Sequence, residues 1–117
     1  MPYPAPTELQ RWAVYRVKAF YKDVDGKCYA VGYVVRNDAG WVVGPIKHFD
    51  ARIMEIRTAL GSRVRLVGPP GESRDAEDEW KAFCARNRVS EQQDVSSRYQ
   101  PKPKRGRPPS VENAARR

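Results

Sequence analysis

The chain has 117 residues, enough for one domain and an appendage. Apolar residues make up 40% and charged residues 31%, so a core forms only if part of the chain stays outside it. No apolar run approaches the roughly 18 residues that cross a bilayer. The start, Met1-Pro2-Tyr3-Pro4-Ala5-Pro6, lacks the charged lead and apolar stretch of a signal peptide. These features exclude a membrane span and predict an intracellular protein, in the nucleoid and cytoplasm or in the nucleus depending on the organism. Cys28 and Cys84 make no CxxC pair and are expected as reduced, packed thiols.

Residues 1–8 read as an extended lead-in, because their prolines forbid a helix. From Trp12 to Tyr21 the pattern has a period of two. Ala13, Tyr15, Val17 and Ala19 share one face, and Trp12, Val14, Arg16, Lys18 and Phe20 the other. Asp25-Gly26 marks a turn. A second strand spans about Lys27 to Arg36, and a third runs from Trp41 to about Lys47 after the turn Asn37-Asp38-Ala39-Gly40. Pro45 lacks an amide donor and suits the end of pairing.

The period then changes. Asp50 as an N-cap, with Ile53, Ile56 and Leu60 on one stripe and Gly61 beyond them, predicts a short helix. Arg63-Val64-Arg65-Leu66-Val67 predicts a fourth strand. A second helix is expected from about Ser73 to Arg88, with acids in its first turns and bases in its last, and with Ala76, Trp80, Phe83 and Cys84 packing inward. Ser90 to Ser97 has almost nothing to bury and reads as a linker. The expected fold is α+β: an antiparallel three-stranded meander followed by helix, strand and helix (βββαβα), over residues 9–89. A disordered linker and basic tail fill residues 90–117.

The formal net charge is +8, and the stretch from Arg98 to Arg107 holds Arg98, Lys102, Lys104, Arg105 and Arg107 without an acid. A concentrated positive charge predicts an anionic polymer as partner. Within this stretch Arg105-Gly106-Arg107-Pro108, flanked by Lys102, Lys104 and Pro109, resembles the AT-hook, a minor-groove DNA-binding motif. The likeness covers only about ten residues of the chain. The resemblance implies double-stranded A·T-rich DNA as the partner, and the residue chemistry agrees. An A·T tract has a narrow groove of enhanced negative potential that draws in arginine, and its floor presents only acceptors. Gly106 lets the backbone approach that floor, while Arg105 and Arg107 point opposite ways along it. Pro108 keeps the chain extended, and Lys102 and Lys104 neutralise phosphates.

One hook makes few contacts, so the folded part is expected to add a second contact or a dimer interface. Trp12, Arg16, Lys18 and Phe20, extended by Arg63 and Arg65, form a candidate platform for single-stranded DNA or RNA. A rival reading is a protein–protein interaction module, a repressor or inhibitor with a nonspecific basic tail. A remote one follows from residues 25–40, which resemble the opening hairpins of ribonuclease-H-like folds. That resemblance implies a two-metal nuclease with Asp23 or Asp25, Glu55 and Asp75 as carboxylates. The expected function is nevertheless non-enzymatic, a DNA-binding protein with a regulatory or architectural role and no cofactor or metal.

Overall fold

Alternating side chains make strand β1 (Thr7–Ala19), and every other element is placed by it in the computed structural model, which describes residues 6–101. The remaining strands are β2 (Cys28–Val34), β3 (Ala39–Val43), β4 (Ile46–Asp50), β5 (Glu55–Thr58), β6 (Arg63–Val67) and β7 (Val89–Asp94). One helix, α1 (Arg74–Arg86), lies between β6 and β7 among the described residues. It is too short to cross a membrane.

The strand order is β3-β2-β1-β6-β5-β4, with β7 also pairing to β1. One edge of β1 carries β2, antiparallel, and β2 carries β3, which is the expected meander. The other edge is divided. Residues 7–10 pair parallel with β6, and residues 15–19 pair antiparallel with β7.

A bulge lies between these two stretches. Arg11 has φ 48 and the register to β2 shifts between Gln10 and Ala13. The extra residue resets the alternation, so Leu9, Trp12 and Val14 all face one core. Ala30 and Val34 of β2, Ile56 of β5 and Val64 and Leu66 of β6 share that core. Gly32 has no side chain where one would press on Leu9 and Trp12. The opposite face carries Ala13, Tyr15, Val17, Tyr29 and Val31, covered by Ala76, Trp80 and Phe83 of α1.

Helix α1 begins as its sequence dictates. Ser73 caps it, accepting from the Ala76 amide at 3.4 Å, and Asp75 and Glu77 occupy the positive end. Asn87 closes it by donating from its side chain to the Phe83 carbonyl. The helix start sits directly on β3. A Cβ on Gly40 would fall on the Asp75 backbone carbonyl, which only glycine avoids.

Two expectations are overturned. The helix expected over 50–61 is absent; β4 and β5 form a hairpin there. Ile53 and Leu60, assigned to its apolar stripe, are exposed, whereas Ile56 and Thr58 alternate into the core. Asp50 accepts from the Arg52 amide at 3.0 Å and so shapes a turn, and Gly61 sits at φ 92 in the next one. The order is therefore ββββββαβ, and the α+β class stands in coarser form.

The linker expected from residue 90 is also strand. β7 is polar and exposed, so its backbone ladder with β1 holds it, with no apolar pattern to betray it. Beyond it Val95 and Ser96 are buried, and a 3₁₀ turn spans Ser96–Arg98. The Val95 amide donates to the Val14 carbonyl at 2.8 Å, and the Val14 amide donates to Ser96 Oγ at 2.9 Å. Replacing Ser96 by Ala leaves a buried donor unpaired. The expected loss is about 1–3 kcal/mol of unfolding free energy, measured by urea denaturation; an unchanged midpoint would show that this clamp carries no stability.

Candidate functional site

The residues expected to make a nucleic-acid platform do not lie on one surface. Trp12 is only 1% exposed and belongs to the core, its indole N–H donating to the Gly68 carbonyl at 3.0 Å. Arg16 and Lys18 follow on the same face of β1, beyond the core, where both are exposed. Register places Gln93 opposite Arg16 and Glu91 opposite Lys18.

Phe20 lies past the end of β1 and is 70% exposed. It meets Tyr21 edge-on at 5.3 Å, and the Arg88 guanidinium stands 5.4 Å from its ring centre. Arg63 and Arg65 are on the opposite face of the sheet, because their neighbours Val64 and Leu66 point into the core. Arg65 is in register with Glu8 on one side and Glu55 on the other, and Arg63 Nη1 lies 3.5 Å from Glu55 Oε2. Carboxylates thus interleave with these cations, and the two halves of the platform are separated by the sheet.

The carboxylates implied by the ribonuclease-H likeness serve local structure. Asp25 accepts from the Ala19 amide at 2.9 Å in the β1–β2 turn, and Glu55 lies beside Arg63. Asp75 belongs to the first turn of α1. Among the described residues no three His, Cys, Asp or Glu side chains gather in a metal-binding group. Lys102, Lys104, Arg105, Gly106, Arg107 and Pro108, the AT-hook-like positions, lie outside the described residues.

What the fold does build is a cleft of about 500 Å3 between α1, the middle of β1 and β7. Its floor is aromatic. Tyr15 stacks on Trp80 with ring centres 4.8 Å apart, and Phe83 stacks against Trp80 at 5.2 Å. The Trp80 indole donates to Gln92 Oε1 at 2.6 Å, and Cys84 Sγ lies 3.7 Å from the same oxygen. Arg11, Glu72, Glu77 and Lys81 stand around the opening.

Burial, followed by the negative charges of Asp94, Glu72 and Glu77, pushes the Tyr15 phenol above its ordinary value. Burial likewise raises the Cys84 thiol. The helical pattern marks Trp80 as a packing residue, but the cleft itself has no sequence signature. Its lining comes from residues 11–15, 31, 71–84 and 92, joined only by the fold.

A second, more apolar opening of about 350 Å3 lies between Trp12, Met54, Leu66, Pro69, Pro70 and Tyr99. Tyr99 closes its inner side, packing on Phe49 with ring centres 4.8 Å apart and hydrogen-bonding to Cys28. Tyr99 therefore ties the end of the domain to both β4 and β2.

Comparison with known proteins gives no match among family models, curated proteins or solved structures.

Burial and the neighbouring Cys28 push the Tyr99 phenol up from 10.0 to about 12. Between these values the unfolded chain has lost the proton that the folded chain keeps. The stability tied to this phenol is thus complete below about pH 10 and is lost as pH rises toward about 12. Urea unfolding of wild type and Tyr99→Phe at about pH 8 and about pH 11 checks this. The variant is expected to lose less stability than wild type over that interval; equal losses would contradict the buried phenol.

Proposed function

We propose that the chain is a non-enzymatic DNA-binding protein that engages A·T-rich duplexes through the minor groove, in a regulatory or architectural role. The observation that carries this reading is Arg105-Gly106-Arg107-Pro108 within a basic run that has no acid from Arg98 to Arg107. Arg105 and Arg107 enter the groove, Gly106 permits the approach, Pro108 holds the chain extended, and Lys102 and Lys104 meet phosphates.

The distribution of charge supports it. Residues 6–101 carry 16 Lys and Arg against 13 Asp and Glu, whereas residues 102–117 carry six bases and one acid. Most of the net positive charge, +5 of +8, therefore lies beyond residue 101. Tethering supports it as well. Tyr99 is packed against Phe49, so Lys102 follows an anchored residue after only two intervening positions, Gln100 and Pro101. A cation held this close to a rigid body acts at a high effective concentration beside any second contact that the body makes.

Phe20 favours a second reading, a binder of single-stranded DNA or RNA. The ring is exposed, flanked by Tyr21 and Arg88, and follows the exposed Arg16 and Lys18 along β1. Stacking of bases on such a ring tolerates any sequence. Phe20→Ala separates the readings, because it is expected to weaken oligonucleotide binding and leave A·T-duplex binding unchanged.

The direct test of the main reading is titration of wild type and Arg107→Ala with A·T-rich and G·C-rich duplexes at fixed salt. Wild type is expected to prefer the A·T duplex, and the variant to lose about tenfold in affinity for it. Lys104→Ala is expected to weaken both duplexes and reduce the salt slope by about one. Equal affinities of the wild type for both duplexes would remove the minor-groove reading.

A further inference from the structure

We propose that the outward face of β4, β5 and β6 is a phosphate-binding surface, which holds the backbone of the same duplex that the tail enters. The inference rests on the DNA-binding reading but concerns other residues, so the two fail separately. Residues 6–101 carry a net +3. Residues 46–67 alone hold Lys47, Arg52, Arg57, Arg63 and Arg65 against Asp50 and Glu55, which is also +3. The other described residues carry 11 bases and 11 acids, so the excess charge of the folded unit belongs to this one segment.

Register gathers that excess into a row. Ile56 of β5 is opposite Val64 of β6, and both are buried in the core, so the next residue along each strand points outward. There Arg57 is opposite Arg63 on one side and His48 of β4 on the other. These side chains form a line across three strands, about 10 Å long, with no acid in it. Lys47 is the extra residue where the β4 register shifts between Ile46 and His48, and it is exposed, as His48 and Arg57 are. The acids occupy the neighbouring row, where Asp50 is opposite Glu55, Glu55 opposite Arg65, and Arg65 opposite Glu8 of β1. Two of these acids are engaged within the fold. Asp50 accepts from the Arg52 amide and lies 3.9 Å from Arg52 Nε. Glu55 is only 9% exposed and lies 3.5 Å from Arg63 Nη1. Among the described residues neither Lys47 nor Arg57 makes an ion pair.

Like charges directly opposite each other on a sheet work against folding. Arg57 beside Arg63 is such a pair, and an anionic partner relieves it. A duplex supplies the anion in the matching form. It carries one negative charge per about 1.7 Å of axis, so a cationic row about 10 Å long faces several phosphates at once. Position agrees. Tyr99 packs on Phe49, the residue after His48, and Pro101 borders the same opening as Met54, which lies between β4 and β5. The tail thus leaves the fold against this hairpin, and a duplex gripped by Lys102 to Arg107 is held beside the row.

The test titrates full-length chains with A·T-rich and G·C-rich duplexes over a range of salt. Arg57→Gln is expected to weaken both duplexes by the same factor, keep the A·T preference, and lower the slope of log affinity against log salt by about one. Arg57→Lys is expected to keep the wild-type slope, because a point charge suffices for a phosphate. Arg86→Gln removes one exposed cation from α1 and is expected to leave the slope unchanged. Urea unfolding of Arg57→Gln is expected at or above the wild-type midpoint, where a merely structural arginine would lower it. A wild type without A·T preference whose slope still falls in Arg57→Gln would remove the hook and support the row. An A·T preference with an unchanged slope in Arg57→Gln would overturn the row and leave the hook. Equal slope changes in Arg57→Gln and Arg86→Gln, or no duplex binding by the wild type, would also overturn the proposal.

Discussion

The structure depends on the two-sided hydrogen bonding of β1. Its one edge holds β2 from Gln10 to Arg16, and its other edge passes from β6 to β7 across the bulge at Arg11. The bulge does more than divide the partners. By resetting the alternation it puts Trp12 beneath the curled sheet and Tyr15 beneath the helix, so one strand supplies both cores. Trp12 is held by burial and by its bond to the Gly68 carbonyl, where truncation of a buried aromatic typically costs about 3–5 kcal/mol. The loop after β6 is tied to the same point, since the Gly71 amide donates to the Trp12 carbonyl at 3.0 Å.

Local pattern made part of this legible. The β1–β2–β3 meander, β6, and α1 with its Ser73 cap all carry their own signals: period-two runs, an Asp-Gly turn, and a capping residue before an amphipathic stripe. Elements that lack such signals were not legible. β7 buries little side-chain surface and is held by backbone pairing to a strand some seventy residues earlier. The β4–β5 hairpin has too few core positions to establish a period, and Ile53, Ile56 and Leu60 fall by coincidence at helical spacing. Met54 at φ 54 breaks any helix there.

The same limit governs the sites. Alternation alone puts Arg16 and Lys18 on one face of β1, whereas the face of Arg63 and Arg65 follows from the pairing of β6 with residues 7–10. The cleft is invisible in the sequence because Tyr15, Glu77 and Gln92 belong to a strand, a helix and a segment with linker-like composition. The basic tail has the opposite character. Its chemistry is contained in consecutive residues, so a motif reads it without any fold.

The anchoring of Tyr99 on Phe49 makes the division of labour testable. A chain ending at Pro101 retains β7, the Ser96 clamp and the Tyr99 closure while lacking the basic run. Titrating this chain and the full chain with A·T-rich and G·C-rich duplexes at one salt concentration measures what the tail contributes. The account predicts an A·T preference in the full chain and its loss, with most of the affinity, in the shortened one. Retention of both affinity and preference by the shortened chain would contradict it and assign DNA recognition to the sheet.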